Sequence, residues 1–242
     1  MHPHNLTRTL LVCLIFTTPI VAQKQKVPPG GRVAIVVDER LAALRATPQL
    51  NGKLIRRLGR GRLVAIRSAK RNQDGIVFFL VNLTTRTHGW IQREAVVSPL
   101  YKDDAHRLLD LIKSSTEFDR IARARIFLDH FQRSPDCPEV LLVLGDAAEE
   151  ASAKLSREAA RRVIGPTAVP EFSYFMNYSG LDRYNRQGIR FVFDRDTKRF
   201  HYDGASWSEI LRRYPRSAEA TEARQRLAAI KRVNANVSAA MQ

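Results

Sequence analysis

The sequence predicts an α+β multidomain chain: a small β-barrel over residues 32–99, then a mostly α-helical region over 100–235 carrying an inserted β-hairpin. Three observations predict it. Short β-branched runs punctuated by glycine fill 32–99. Apolar residues recur at helical spacing beyond Ser98-Pro99. A pattern in that helical part returns after 83 residues. The 44% hydrophobic content is ample for a core and argues against global disorder.

Residues 1–22 read as a secretory signal peptide. Arg8 supplies the positive start, Leu10 to Phe16 the apolar core, and Ile20-Val21-Ala22 a cleavage site before Gln23. The apolar run is too short for a membrane span. Cys13 lies inside it with no small residue before it, so lipidation is not expected. Cleavage would leave Cys137 as the only cysteine, with no intramolecular disulfide possible. Residues 23–31, with Pro28, Pro29, Gly30 and Gly31, read as a linker.

Val33 to Val37, Arg62 to Ile66 and Ile76 to Val81 have strand length and composition, and Gly52, Gly59, Gly61 and Gly75 supply turns between them. Phe78 and Phe79 would point to opposite faces, one to the core and the other outward. Trp90 suits the core of the last strand, its expected place, or a stacking face at the rim of a ligand groove.

These residues also carry a family likeness. Ala43-Leu44-Arg45-Ala46-Thr47-Pro48 precedes Asn51-Gly52-Lys53-Leu54-Ile55. Leu58-Gly59-Arg60-Gly61-Arg62-Leu63-Val64-Ala65-Ile66 follows. Gly89-Trp90-Ile91 closes the stretch after Val77-Phe78-Phe79-Leu80-Val81. In this order and spacing, 32–99 resembles a bacterial SH3-like (SH3b) domain. The resemblance implies a small barrel that binds rather than catalyses, often at the cell wall.

Charge points the same way. Residues 32–99 hold thirteen basic side chains against four acidic ones, a balance of +9, within a chain of formal net charge +16. Such a field attracts anionic surfaces. Arg56, Arg57, Arg60 and Arg62 flank one turn and are candidate ligand contacts; Trp90, at a groove of its own, is the other candidate. Export argues against a nucleic-acid partner and leaves peptidoglycan or another anionic envelope polymer, anionic lipid headgroups, or a solvated basic face with no specific ligand.

The helical part reads in order. Ala105, Leu108, Leu109 and Ile112 make the first stripe. Thr116 and Asp119 form a capping-box-like start to the second, with Ile121, Ala124, Leu128 and Phe131 on one face. Pro135 and Pro138 mark a break before Val140, Leu141, Leu144, Ala147, Ala148, Ala151 and Leu155. Trp207, Ile210, Leu211 and Tyr214 make a fourth stripe, and Ala220, Ala223, Leu227 and Ile230 a fifth. Leu128 to Ser134 aligns with Leu211 to Ser217, and Cys137 with Ala220. Tyr214-Pro215-Arg216-Ser217 followed by Ala220, Glu222, Ala223 and Leu227 resembles the junction in tetratricopeptide-like proteins. That resemblance implies stacked helix pairs that dock a protein partner. Between the copies lies an insertion, 165–204, rich in aromatics; Gly188 to Asp194 and Arg199 to Tyr202 read as a hairpin whose aromatics enter the core. Residues 236–242 read as a tail.

Enzyme chemistry finds little support. Cell-wall cysteine peptidases of the NlpC type often carry SH3b domains, and Asp136-Cys137 resembles the start of their nucleophile motif. Here Pro138-Glu139 follows where that family has Ser-Gly, and His201 is the only downstream histidine. Cys137 also aligns with Ala220, so a small packing residue explains it. The six histidines form no metal-spacing cluster in the mature chain, and no phosphate-binding glycine loop occurs, so no cofactor is expected. The expected function is an exported, non-catalytic binding or scaffold protein of the periplasm or envelope. A cell-wall hydrolase, or a regulator of one, is the alternative.

Overall fold

The structure is a computed structural model, and it describes residues 28–163, 179–194 and 197–239. The signal peptide, and Phe172, Tyr174, Phe175 and Tyr178 of the insertion, lie outside the described residues. No described helix is long and apolar enough to cross a membrane.

Seven antiparallel strands form one sheet: β1 (Arg32–Val36), β2 (Ala43–Arg45), β3 (Leu54–Arg57), β4 (Leu63–Arg71), β5 (Val77–Asn82), β6 (His88–Gln92) and β7 (Val96–Val97). Their order is β3-β2-β6-β5-β4-β1-β7. The β4–β5 turn uses Gly75 at φ +79°, a conformation open to glycine at little cost.

The sheet is open, which corrects the expected closed barrel. Its end strands β3 and β7 do not pair. The physical reason lies at β7, which is only two residues long: the Val96 carbonyl accepts a hydrogen bond from the Arg107 guanidinium of the following helix instead of from another strand.

The helices are α1 (Asp104–Lys113), α2 (Glu117–His130), α3 (Cys137–Val163), α4 (Asp182–Asn185), α5 (Ala205–Arg213) and α6 (Glu219–Ala239). Thus α6 continues into the stretch read as a tail. The predicted apolar stripes face inward: Leu108, Ile112, Ile121, Val140, Leu144, Trp207 and Ile210 are all buried. The hairpin forms as β8 (Phe191–Asp194) and β9 (Arg199–Tyr202), and Tyr184, Phe200 and Tyr202 are buried.

The two junctions aligned 83 residues apart turn alike in the backbone. The amides of Phe131 and Tyr214 close their helices onto Phe127 and Ile210, each at 2.7 Å. The amides of Ser134 and Ser217 then bond back to Phe131 and Tyr214 at 2.9 and 3.0 Å. Cys137 and Ala220 are both buried at the start of the next helix.

Sheet and helices share apolar packing. Strand β1 is buried on both faces: Ala34 and Val36 join Leu44, Phe79, Val81 and Ile91 in the sheet's own core. Ile35, with Val37, Leu63 and Val97, packs instead with Leu108, Ile121 and Phe127. Two polar clamps accompany this packing. Buried Asp104 accepts hydrogen bonds from the Ser98 amide (2.8 Å) and from Arg93 and Arg107 (3.2 Å each). Buried Arg123 of α2 donates to the Val37 carbonyl (3.1 Å) and to Ser115 Oγ (2.5 Å).

Three further expectations change. The end of the linker is pinned to the sheet, with Pro28 buried and the Pro29 carbonyl accepting from Asn82. Thr116 caps α2 without a side-chain bond, and the Asp119 carboxylate does not reach back to close a capping box but turns to Arg60 and Arg123. Phe78 and Phe79 are both buried, although they point to opposite faces; Lys70 and Gln92 stand opposite Phe78 on the adjacent strands.

Candidate functional site

None of the seven strands contains an acidic residue, yet together they present Arg32, Arg45, Arg56, Arg57, Arg67, Lys70 and Arg71. All seven are exposed except half-buried Arg45. With no carboxylate interleaved, the strands' contribution to the local field is of one sign.

Arg56 and Arg57 lie at the end of β3, and Arg62 lies just before β4. All three are exposed and form no ion pair among the described residues. Arg60 does not belong with them. Its side chain is only 12% exposed, bonded to Asp119 of α2 at 2.9 Å and paired with Glu39 at 3.6 Å. The turn therefore splits the candidates into three free cations and one that ties the sheet to α2.

Trp90 is half-buried and stands outside both apolar cores, contrary to the expected core position. Strand register explains why. Gly89 and Ile91 face the sheet's core, so Trp90 faces outward with its neighbours His88 and Gln92. It sits opposite Leu80 on β5 and Arg45 on β2, and Arg45 sits opposite Leu54 on β3. Directly opposed residues share a face. Leu54, Arg45, Trp90 and Leu80 thus form one half-exposed row across four strands, alternating apolar groups with a guanidinium. Arg45 is steadied by a 2.8 Å bond from its Nη1 to the Gly52 carbonyl.

Near Arg60 the charges alternate. Asp38 accepts two side-chain hydrogen bonds from Arg40 and lies 3.7 Å from Arg123. Burial pushes the Asp38 carboxyl up, but the bonds and charge of Arg40, together with Arg123, outweigh it and hold the pKa below the usual value. Burial, and then the nearby Arg60 charge, lower the pKa of Arg123. This cluster joins elements and is internally compensated, so it is not a ligand site.

Cys137 and His201 are not brought together. Cys137 is 2% exposed, its thiol donates to the Phe131 carbonyl at 3.4 Å, and burial pushes its pKa up. That favours the thiol over the nucleophilic thiolate. His201 faces Glu149 at 3.9 Å, and Glu149 is twelve residues along α3 from Cys137, about 18 Å at helical rise. No group of three or more metal-ligating side chains occurs among the described residues.

The helices form a groove of about 280 Å³ between α2, α3 and α5, lined by Arg125, Asp129, Leu144, Tyr202, Glu209 and Arg213. Its charges are paired within it, Arg125 with Asp129 at 3.8 Å and Arg213 with Glu209 at 3.4 Å. Sequence reasoning missed Gly145 on the inner side of α3. A Cβ there would stand 2.3 Å from Trp207 Nε1 and 2.6 Å from Ser206 Oγ, so glycine is what lets α5 approach.

No protein-family model, curated protein or solved structure matches this chain.

Proposed function

We propose that this is an exported, non-catalytic binding protein of the periplasm or envelope. Its SH3-like sheet contacts an anionic polymer such as peptidoglycan, or a peptide, and its tetratricopeptide-like helix pairs dock a protein partner. The observation that carries the reading is the acid-free sheet, which keeps Arg56, Arg57 and Arg62 exposed and without an ion pair among the described residues, and which also presents the outward row of Leu54, Arg45, Trp90 and Leu80. A half-exposed indole opposite Arg45, on a sheet whose other exposed strand charges are all cationic, suits binding by stacking and charge. The repeated helix pairs with their charge-balanced groove support docking rather than turnover. Reversing Arg213 disrupts the Glu209 pair and should weaken partner capture without changing polymer binding.

The test is co-sedimentation of the mature chain with purified sacculi across a salt series. Binding that falls steeply between 0.1 and 1 M salt supports the reading, because screening shortens over that range from about 10 Å to about 3 Å. Release of soluble fragments from the sacculi would point to the hydrolase instead.

A further inference from the structure

Strand β3 is a site of a different kind from the outward face. Its outer edge pairs with no strand, and all four of its residues are exposed. An unpaired edge offers backbone N–H and C=O groups to any extended chain. The opposite edge of the sheet is blunted, since β7 is two residues long and Arg107 caps the Val96 carbonyl. Exposed apolar surface also gathers at β3: Leu50, Leu54 and Ile55 are 48%, 45% and 46% exposed. Lys53, Arg56 and Arg57 accompany them, and the chain carries no acid between Glu39 and Asp74.

We infer that the open edge of β3 binds an extended, acidic segment of a partner protein by strand addition, with Leu54 and Ile55 contacting its apolar residues and Arg56 and Arg57 its carboxylates. Main-chain pairing would supply affinity and the alternating side chains selectivity. A second copy is a poor occupant, because pairing β3 with itself gathers two sets of Lys53, Arg56 and Arg57 at one seam, with no acid between Glu39 and Asp74 to offset them. Residues 1–27 of this chain are also unsuited, having Arg8, Lys24 and Lys26 and no acid. The inference rests on the proposed reading of this region as a binding module, but not on the wall as its ligand.

The probe is a synthetic eight-residue peptide repeating Val-Val-Glu-Glu, which puts both residue types on each face of an added strand as β3 does, added to the mature full-length chain. Titration should protect the β3 amides from hydrogen exchange at least tenfold. N-methylating the peptide at every second residue, which blocks one hydrogen-bonding edge and keeps its charges, should weaken binding at least tenfold for one of the two methylation registers. The same peptide with Lys in place of every Glu should not bind. Equal affinity for both methylated forms, protection confined to other strands, or self-association through β3 would each overturn the inference. Peptide binding with no sacculus binding upholds it while removing the wall reading. Sacculus binding with no peptide binding does the reverse.

Discussion

Arg123 Nε donates a 3.1 Å hydrogen bond to the carbonyl oxygen of Val37, 86 residues earlier in the chain. The bond joins α2 to the residue that follows β1, and Arg123 is 3% exposed there, with Asp38 at 3.7 Å and Ser115 Oγ at 2.5 Å. Losing one partner of a buried charged cluster leaves the others desolvated and uncompensated. Arg123→Met should therefore lower unfolding free energy by about 3 kcal/mol. Urea denaturation followed by circular dichroism checks this; a change under about 0.5 kcal/mol, the scale of ordinary surface substitutions, would refute the structural role.

The same cluster sets a pH dependence. The folded-state pKa of Asp38 is depressed, so its stabilisation is present above the unfolded value and is lost as pH falls through the folded one. Below about pH 4, the ordinary aspartate range, the native chain should lose stability faster than Asp38→Asn, although the variant is weaker at neutral pH. Parallel acid-denaturation slopes would remove Asp38 from the account.

Gly145→Ala sets two effects against each other. Alanine favours an exposed helix interior by about 1 kcal/mol. The new methyl collides with Trp207 and Ser206, and overpacking of this kind costs about 1–3 kcal/mol. Net destabilisation is expected, with Trp207→Phe partly restoring the double variant. A more stable Gly145→Ala protein would contradict the close approach of α5.

Cys137 should resist alkylation at pH 8 until the chain unfolds, because burial both shields the thiol and raises its pKa. Its labelling rate should rise with urea along the unfolding curve. Rapid stoichiometric labelling of the native chain would reopen a catalytic reading.

The helical stripes and the 83-residue repeat were legible because both are local: Leu108 and Ile112, or Phe131 and Ser134, signal within a few residues of themselves. The outward position of Trp90 was also available, since His88-Gly89-Trp90-Ile91-Gln92 alternates and puts the indole on the polar side. Arg60 and Arg123 were not legible. Among 40 lysines and arginines nothing local marks the few that become desolvated, and the groups that hold them lie 59 and 86 residues away. Gly145 was hidden for the same reason, because the ring that needs its space lies 62 positions later. The open sheet depended on Arg107 reaching Val96, a tertiary choice that strand composition does not encode.

The central claim is that the acid-free sheet binds through its unpaired cations and its outward indole. The most direct measurement compares sacculus co-sedimentation of the mature chain with that of Arg56→Glu/Arg57→Glu and of Trp90→Ala, each first shown to unfold cooperatively. Both variants should stay folded and bind at least tenfold more weakly, and the double reversal should also flatten the salt dependence. Arg60→Glu should instead destabilise the fold, by placing a carboxylate against Glu39 and Asp119. Folded variants that bind sacculi with unchanged affinity and unchanged salt dependence would contradict the claim.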